Sequence, residues 1–192
     1  SVAKILRRLP SFSYVAFFPC MFFKKNDLYK ILKNLKINFT EYNHSPLFTV
    51  EDSQNLRGKI TGAHTKNLFL KDKKGLLILL TCQEDAIINL KKIRSSLGVK
   101  NLSFAKEDLL MKYLGVLPGA VSPLGLINDR TLSIVLYLDK NLFDAQTINF
   151  HPLINTTTIN LSFDDFIKFC DHTNHKPKIL DIEKNEVLND IR

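Results

Sequence analysis

Residues 62–81 read GAHTKNLFLKDKKGLLILLT, and this stretch sets the architecture. Leu68, Phe69 and Leu70 make an apolar strand. Asp72-Lys73-Lys74-Gly75 is a turn, and Leu76–Leu80 is the returning strand, so the segment is a β-hairpin. The return strand carries no polar alternation, which predicts burial on both faces and a central place in a sheet. Lys66 and Asn67 stand where the first strand begins, as a solvated strand end or as side chains offered to a ligand.

Outward from the hairpin, the order of elements is mixed. Asn26 or Asp27 caps a helix with Leu28, Ile31, Leu32 and Leu35 at helical spacing. A strand follows, then a turn stiffened by Pro46, then a short helix over 50–57 with Thr49 as cap and Asp52 completing a capping box. Asn89–Leu97 is a helix ended by Gly98, Val99–Phe104 a short strand, and Lys106–Leu114 a helix closed by Gly115. Leu132–Leu138, Thr147–His151, Asn155–Leu161 and Lys178–Ile182 read as strands. Ser162 and Asp165 form a capping box for a helix bearing Phe163, Phe166, Ile167, Phe169 and Cys170. Strands slightly outnumber helices without a repeating βα unit, so the expectation is one α+β domain with a mixed sheet.

At 192 residues, with 45% hydrophobic and 24% charged residues, one well-buried core is the default. The formal charge of +8 is unevenly placed. Residues 1–100 hold 18 Lys/Arg against 7 Asp/Glu, and residues 101–192 hold 9 against 12. The first half is thus the face expected to meet a polyanion, nucleic acid being the commonest. Residues 1–20 (SVAKILRRLPSFSYVAFFPC) differ from the rest and are expected to be a flexible extension, leaving 21–192 as the folded domain. Arg7 and Arg8 before the apolar run Tyr14–Phe18 give a faint targeting-signal shape, broken by Pro10 and Pro19. No run approaches the ~20 apolar residues of a membrane span. Cys20, Cys82 and Cys170 are odd in number and far apart, which argues for a reducing, cytoplasmic setting rather than a disulfide framework.

Common nucleotide, zinc and serine-hydrolase motifs are absent. Cys170-Asp171-His172 with His175 lacks the spacing of a standard metal site, and no metal is expected. Two other features carry chemistry. Gly115–Asp129, GVLPGAVSPLGLIND, gathers three of the seven glycines and two of the seven prolines. Glycine lets a ligand approach the main chain and proline stiffens it, so the loop is either a structural turn or a rigid set of amides suited to an ester carbonyl. His151, at a strand end before Pro152, is placed to donate to a substrate oxygen or orient a water, or serves as a structural hydrogen-bonding histidine.

Three blocks, KNLFLKDKKGLLILL, LSFAKEDLLMKYLGVLPGAVSPLGLIND and FHPLINTTTINLSFDDFIKF, resemble the YbaK/prolyl-tRNA-synthetase-associated domain family in order and spacing over about residues 24–180. Within it, the chain looks most like the free-standing alanyl-tRNA(Pro) deacylases. The resemblance implies a mostly antiparallel, partly barrel-like sheet flanked by helices, and hydrolysis of the ester of mischarged alanyl-tRNA(Pro) without a cofactor. The family's GxxxP loop is matched by Gly119-Ala120-Val121-Ser122-Pro123, its Lys-Asn pair by Lys66 and Asn67, and its histidine before proline by His151. On this basis Lys66 holds the phosphate or ribose of the terminal adenosine, and Asn67 bonds the amino acid or ribose. The amides of Gly119 and Ala120 hold the carbonyl, and His151 positions substrate or water. Phe48, Leu68 and Val121 shape a pocket too small for proline. The partners implied are the acceptor end of tRNA(Pro) and prolyl-tRNA synthetase. Cysteinyl-tRNA(Pro), another mischarged tRNA, or a non-catalytic tRNA- or synthetase-binding module are the alternatives.

Overall fold

The computed structural model describes residues 22–46 and 60–189. The extension over 1–20, the helix expected over 50–57 and Phe48 lie outside them. The long sheet has six strands in the order β4-β2-β3-β5-β8-β9. They are β2 (Thr65–Lys71), β3 (Leu77–Gln83), β4 (Ser103–Phe104), β5 (Ile134–Asp139), β8 (Lys178–Asp181) and β9 (Glu186–Leu188). β3 lies inside as its composition requires, antiparallel to β2 and parallel to β5, which is parallel to β8. Its side chains divide between two cores. Leu77 and Leu79 join the main cluster, while Ile78, Leu80 and Cys82 join a smaller one on the other face.

A second, three-stranded antiparallel sheet has the order β1-β7-β6, from β1 (Phe39–Asn43), β6 (Thr147–Phe150) and β7 (Thr157–Ser162). The two sheets do not close into a barrel; a parallel bridge between Ala63 and Ile148 joins them. The main core lies between them. Helix α1 (Lys25–Asn34) buries Leu28 and Leu32 there. Helix α2 (Leu90–Ser96) is capped by the Asn89 side chain and buries Ile93 in the smaller core. The helix expected over Lys106–Leu114 is instead one short turn, α3 (Glu107–Leu109), widening into a π-turn over Leu110–Leu114. Helix α4 (Phe163–His172) begins at Ser162, whose Oγ accepts from the Asp165 amide at 3.1 Å, and buries Phe163, Phe166, Phe169 and Cys170. No described helix is long and apolar enough to cross a membrane.

The junction of the sheets depends on Gly62, at φ +90°. A Cβ there would lie 2.3 Å from Thr147 Oγ1 and 2.8 Å from Thr147 O. Both the left-handed backbone and the contact oppose any side chain. Gly62→Ala is therefore expected to lower stability by about 2–4 kcal/mol, read as a shift in the urea midpoint. A midpoint equal to the parent's would mean the junction yields freely.

Candidate active site

The loop after the π-turn is pinned at its rear and bare at its tip. Asn128 accepts from the Phe23 amide at 2.7 Å and donates to Leu114 O at 2.9 Å and Phe23 O at 3.2 Å. Asp129 accepts from the Ile134 amide at 2.7 Å and from His175 Nε2 at 3.2 Å. Burial would raise the Asp129 carboxyl, but His175, the Ser133 and Ile134 amides and the Thr131 hydroxyl outweigh it and hold it below the usual range. His175 is thus a latch within the fold. Ser122 caps a 3₁₀-helix over Pro123–Asn128: its Oγ accepts from the Leu124 amide at 3.2 Å, and Pro123 takes the first helical position. Both are buried, so Ser122 and Pro123 fix the loop rather than present groups to a ligand.

At the tip, Leu117, Pro118 and Gly119 are exposed. The Ala120 amide donates to Leu117 O at 3.1 Å, and Gly119 sits at φ +86°. Proline followed by a positive-φ glycine is the pattern of a type II turn. It corrects one expectation. The Ala120 amide is committed to closing this turn, and its side chain is buried in the core, so Gly119 carries the exposed backbone.

The strand start divides its two residues. Asn67 Nδ2 donates to Val121 O at 3.1 Å and Asn67 Oδ1 accepts from the Thr81 hydroxyl at 2.8 Å, tying the loop to the sheet. Lys66 pairs with Cys82 across β3, and its Nζ donates to Ala86 O. Successive strand residues point to opposite faces, so Lys66 and Leu68 share the side of the smaller core while Asn67 faces the loop. Leu68 therefore does not line a pocket with Val121, which packs on the main core from the other side.

His151 follows directly on β6. Thr65 Oγ1 donates to Asn149 O at 2.9 Å, and the Ala63–Ile148 bridge is parallel. From there both chains run the same way, carrying Asn67 and His151 toward one end of the molecule. His151 Nδ1 lies 2.8 Å from Thr157 O. A carbonyl only accepts, so Nδ1 carries the hydrogen and Nε2 keeps its lone pair. Burial pushes the imidazole below the ordinary histidine value, the Thr157 carbonyl opposes this, and the His44 ring, with its centroid 5.8 Å away, adds to it. His151 is therefore a neutral proton acceptor near pH 7. His44 was not singled out in the sequence; His44 Nδ1 donates to Ser45 O at 2.8 Å, and its Nε2 accepts from the Thr158 hydroxyl at 2.9 Å. The signal was there, a histidine at a strand end close to a proline, as at His151-Pro152.

A cavity of about 790 Å³ opens beside the loop tip, and Lys66, Asn67, Gly119 and His151 are not among the residues that line it. Pro118 and Ala120, on either side of Gly119, form one wall; Leu153, Ile154 and Asn155, just after His151, form another. The start of α1 forms a third. Cys82 and Cys170 are free and buried; burial pushes the Cys82 thiol up to about 12 and the Cys170 thiol up as well, so neither is a nucleophile at neutral pH. Among the described residues, no three His, Cys, Asp or Glu side chains are grouped to hold a metal.

The family model of the aminoacyl-tRNA editing domain matches residues 44–169. The prolyl-tRNA editing protein ProX of Acetoanaerobium sticklandii is 40% identical over 71% of this chain and 84% of its own length. Prolyl-tRNA synthetase associated domain-containing protein 1 of Danio rerio is 35% identical over 83% and 88%. A solved structure, described as a candidate trans-editing enzyme for prolyl tRNA synthetase, superposes with a TM-score of 0.61 at 15% identity, covering 82% of this chain and 95% of that one, and so shares the fold. The chain belongs to the aminoacyl-tRNA editing domain family.

Proposed function

We propose that the chain is a trans-editing deacylase that hydrolyses the aminoacyl ester of mischarged tRNA(Pro), with alanine as the amino acid removed. The observation that carries the reading is His151, a neutral imidazole with Nδ1–H fixed on Thr157 O, two residues before Leu153 in the wall of a cavity that Pro118 and Ala120 also line. A water attacks the ester carbonyl as Nε2 accepts its proton, the exposed amide at Gly119 meets the developing oxyanion, and the proton passes to the departing ribose oxygen. The substrate's neighbouring ribose hydroxyl assists, and the protein supplies no nucleophile. Asn67 holds the wall in register by bonding both Val121 and Thr81.

The need for a second site follows from binding energetics. A synthetase excludes an amino acid smaller than its own by only ~1–3 kcal/mol, through lost apolar contact. A separate cavity that admits the smaller side chain and excludes proline supplies the rest. The test is deacylation of alanyl-, cysteinyl- and prolyl-tRNA(Pro) side by side. Alanyl-tRNA(Pro) alone is expected to be hydrolysed quickly; preference for cysteinyl-tRNA(Pro) would reassign the substrate, and no hydrolysis of any would leave a binding module.

Lys66 is proposed to grip the ribose-phosphate of the terminal nucleotide from its own side of the strand. Among the described residues one of its three N–H donors is used, on Ala86 O. Lys66→Ala is expected to lower kcat/KM by about 10- to 100-fold, the worth of one charged hydrogen bond, with the unfolding midpoint retained. A variant with parental kcat/KM would remove Lys66 from the site.

A further inference from the structure

The cavity beside the turn is larger and more apolar than an alanyl ester needs. Phe22, Met111 and Leu117 are part of its apolar lining, and Leu117 is 64% exposed. Lys24, Lys25 and Asn155 add polar groups to the lining. The two lysines differ. Lys25 is neutralised by Glu41 at 2.7 Å and also reaches Thr157 Oγ1 at 3.3 Å. Lys24 is exposed at the N-cap of α1, where the Asp27 carboxylate accepts from the Lys24 backbone amide at 3.2 Å. Among the described residues its ammonium has no ion-pair partner, and it stands at the positive end of a ten-residue helix. An aromatic and aliphatic lining that also carries an amide and an ammonium fits a nucleobase and its phosphate.

Building on the deacylase reading, we infer that this cavity seats a nucleotide of the single-stranded acceptor end, its base against Phe22, Met111 and Leu117 and its phosphate on Lys24. The strand then leads past Pro118 to the turn at Gly119, and its ester falls between that turn and His151. The substrate is held by its RNA end as well as by its amino acid, so free aminoacyl esters are poor substrates.

The experiment titrates the ribotrinucleotide 5′-phospho-CCA into the full isotope-labelled chain, followed by amide NMR. Shifts are expected at Phe22, Lys24 and Leu117. Lys24→Glu should weaken binding about tenfold and lower the salt slope by about one, and Leu117→Ser should weaken binding with the slope unchanged. In deacylation, Lys24→Glu should raise KM with kcat retained. Shifts confined to another face, or binding untouched in both variants, would overturn the inference. If the parent hydrolyses alanyl-tRNA(Pro) while both variants keep its KM, the cavity is not a nucleotide seat and the deacylase reading survives. If the parent hydrolyses no aminoacyl-tRNA yet the trinucleotide docks here with the expected variant effects, the seat stands and the deacylase reading falls.

Discussion

His151→Ala is expected to lower kcat for alanyl-tRNA(Pro) hydrolysis by about 10²–10⁴, the usual contribution of a positioned general base, with a much smaller change in KM. The pH profile identifies the group. Burial and the neighbouring His44 hold the imidazole below its ordinary value of 6.5, so the catalytic neutral form persists under mildly acidic conditions. The parent's kcat should rise from acid with a midpoint below 6.5 and be level at neutral pH; the variant should lose that limb. Stability follows the same sign. The unfolded chain takes up this proton at a higher pH than the folded one, so the stability linked to His151 is complete above the ordinary value and is lost as pH falls through the depressed one. If His151→Ala keeps the acid limb, another group titrates there and His151 is structural.

The hairpin was legible because its signals agree: an apolar strand, a charged Gly-containing turn and an unbroken apolar return all describe β2 and β3. The helix at Phe163 was legible for the same reason, its cap and its apolar face pointing the same way. Strand β9 was hidden in a charged tail, since Glu186–Leu188 has no pattern of its own and is fixed by pairing with β8. The widening at Leu110–Leu114 is likewise invisible to a 3.6-residue period. The faces of the site residues were partly readable. Lys66 and Asn67 are adjacent in a strand, and a two-residue period forbids both from pointing the same way. The resemblance to a family gives positions but not faces, and so it placed Leu68 with Val121 although they lie in different cores. The fate of the Ala120 amide was not readable, because whether a Pro-Gly turn closes its hydrogen bond depends on the flanking chain.

Gly119→Val tests whether that turn is chemical equipment or mere connection. At φ +86° a β-branched residue is strained by roughly 1–2 kcal/mol, and the turn relaxes it by flipping toward negative φ. The Leu117 to Ala120 bond survives that flip, but the Pro118–Gly119 peptide turns over, so the exposed Gly119 amide turns away from the ester carbonyl. The expected result is a fall in kcat of about 10²–10³, the worth of one oxyanion donor, with binding of 5′-phospho-CCA largely retained. Gly119→Ala, without the branch, should fall between parent and valine. The cost in stability should be modest, because Asn128 and Asp129 anchor the rear of the loop independently of its tip. That separation makes the test decisive: a folded Gly119→Val protein that deacylates at the parent rate means the ester carbonyl is met elsewhere, whereas one that folds, binds the RNA end and fails to turn over assigns the backbone at Gly119 to the transition state.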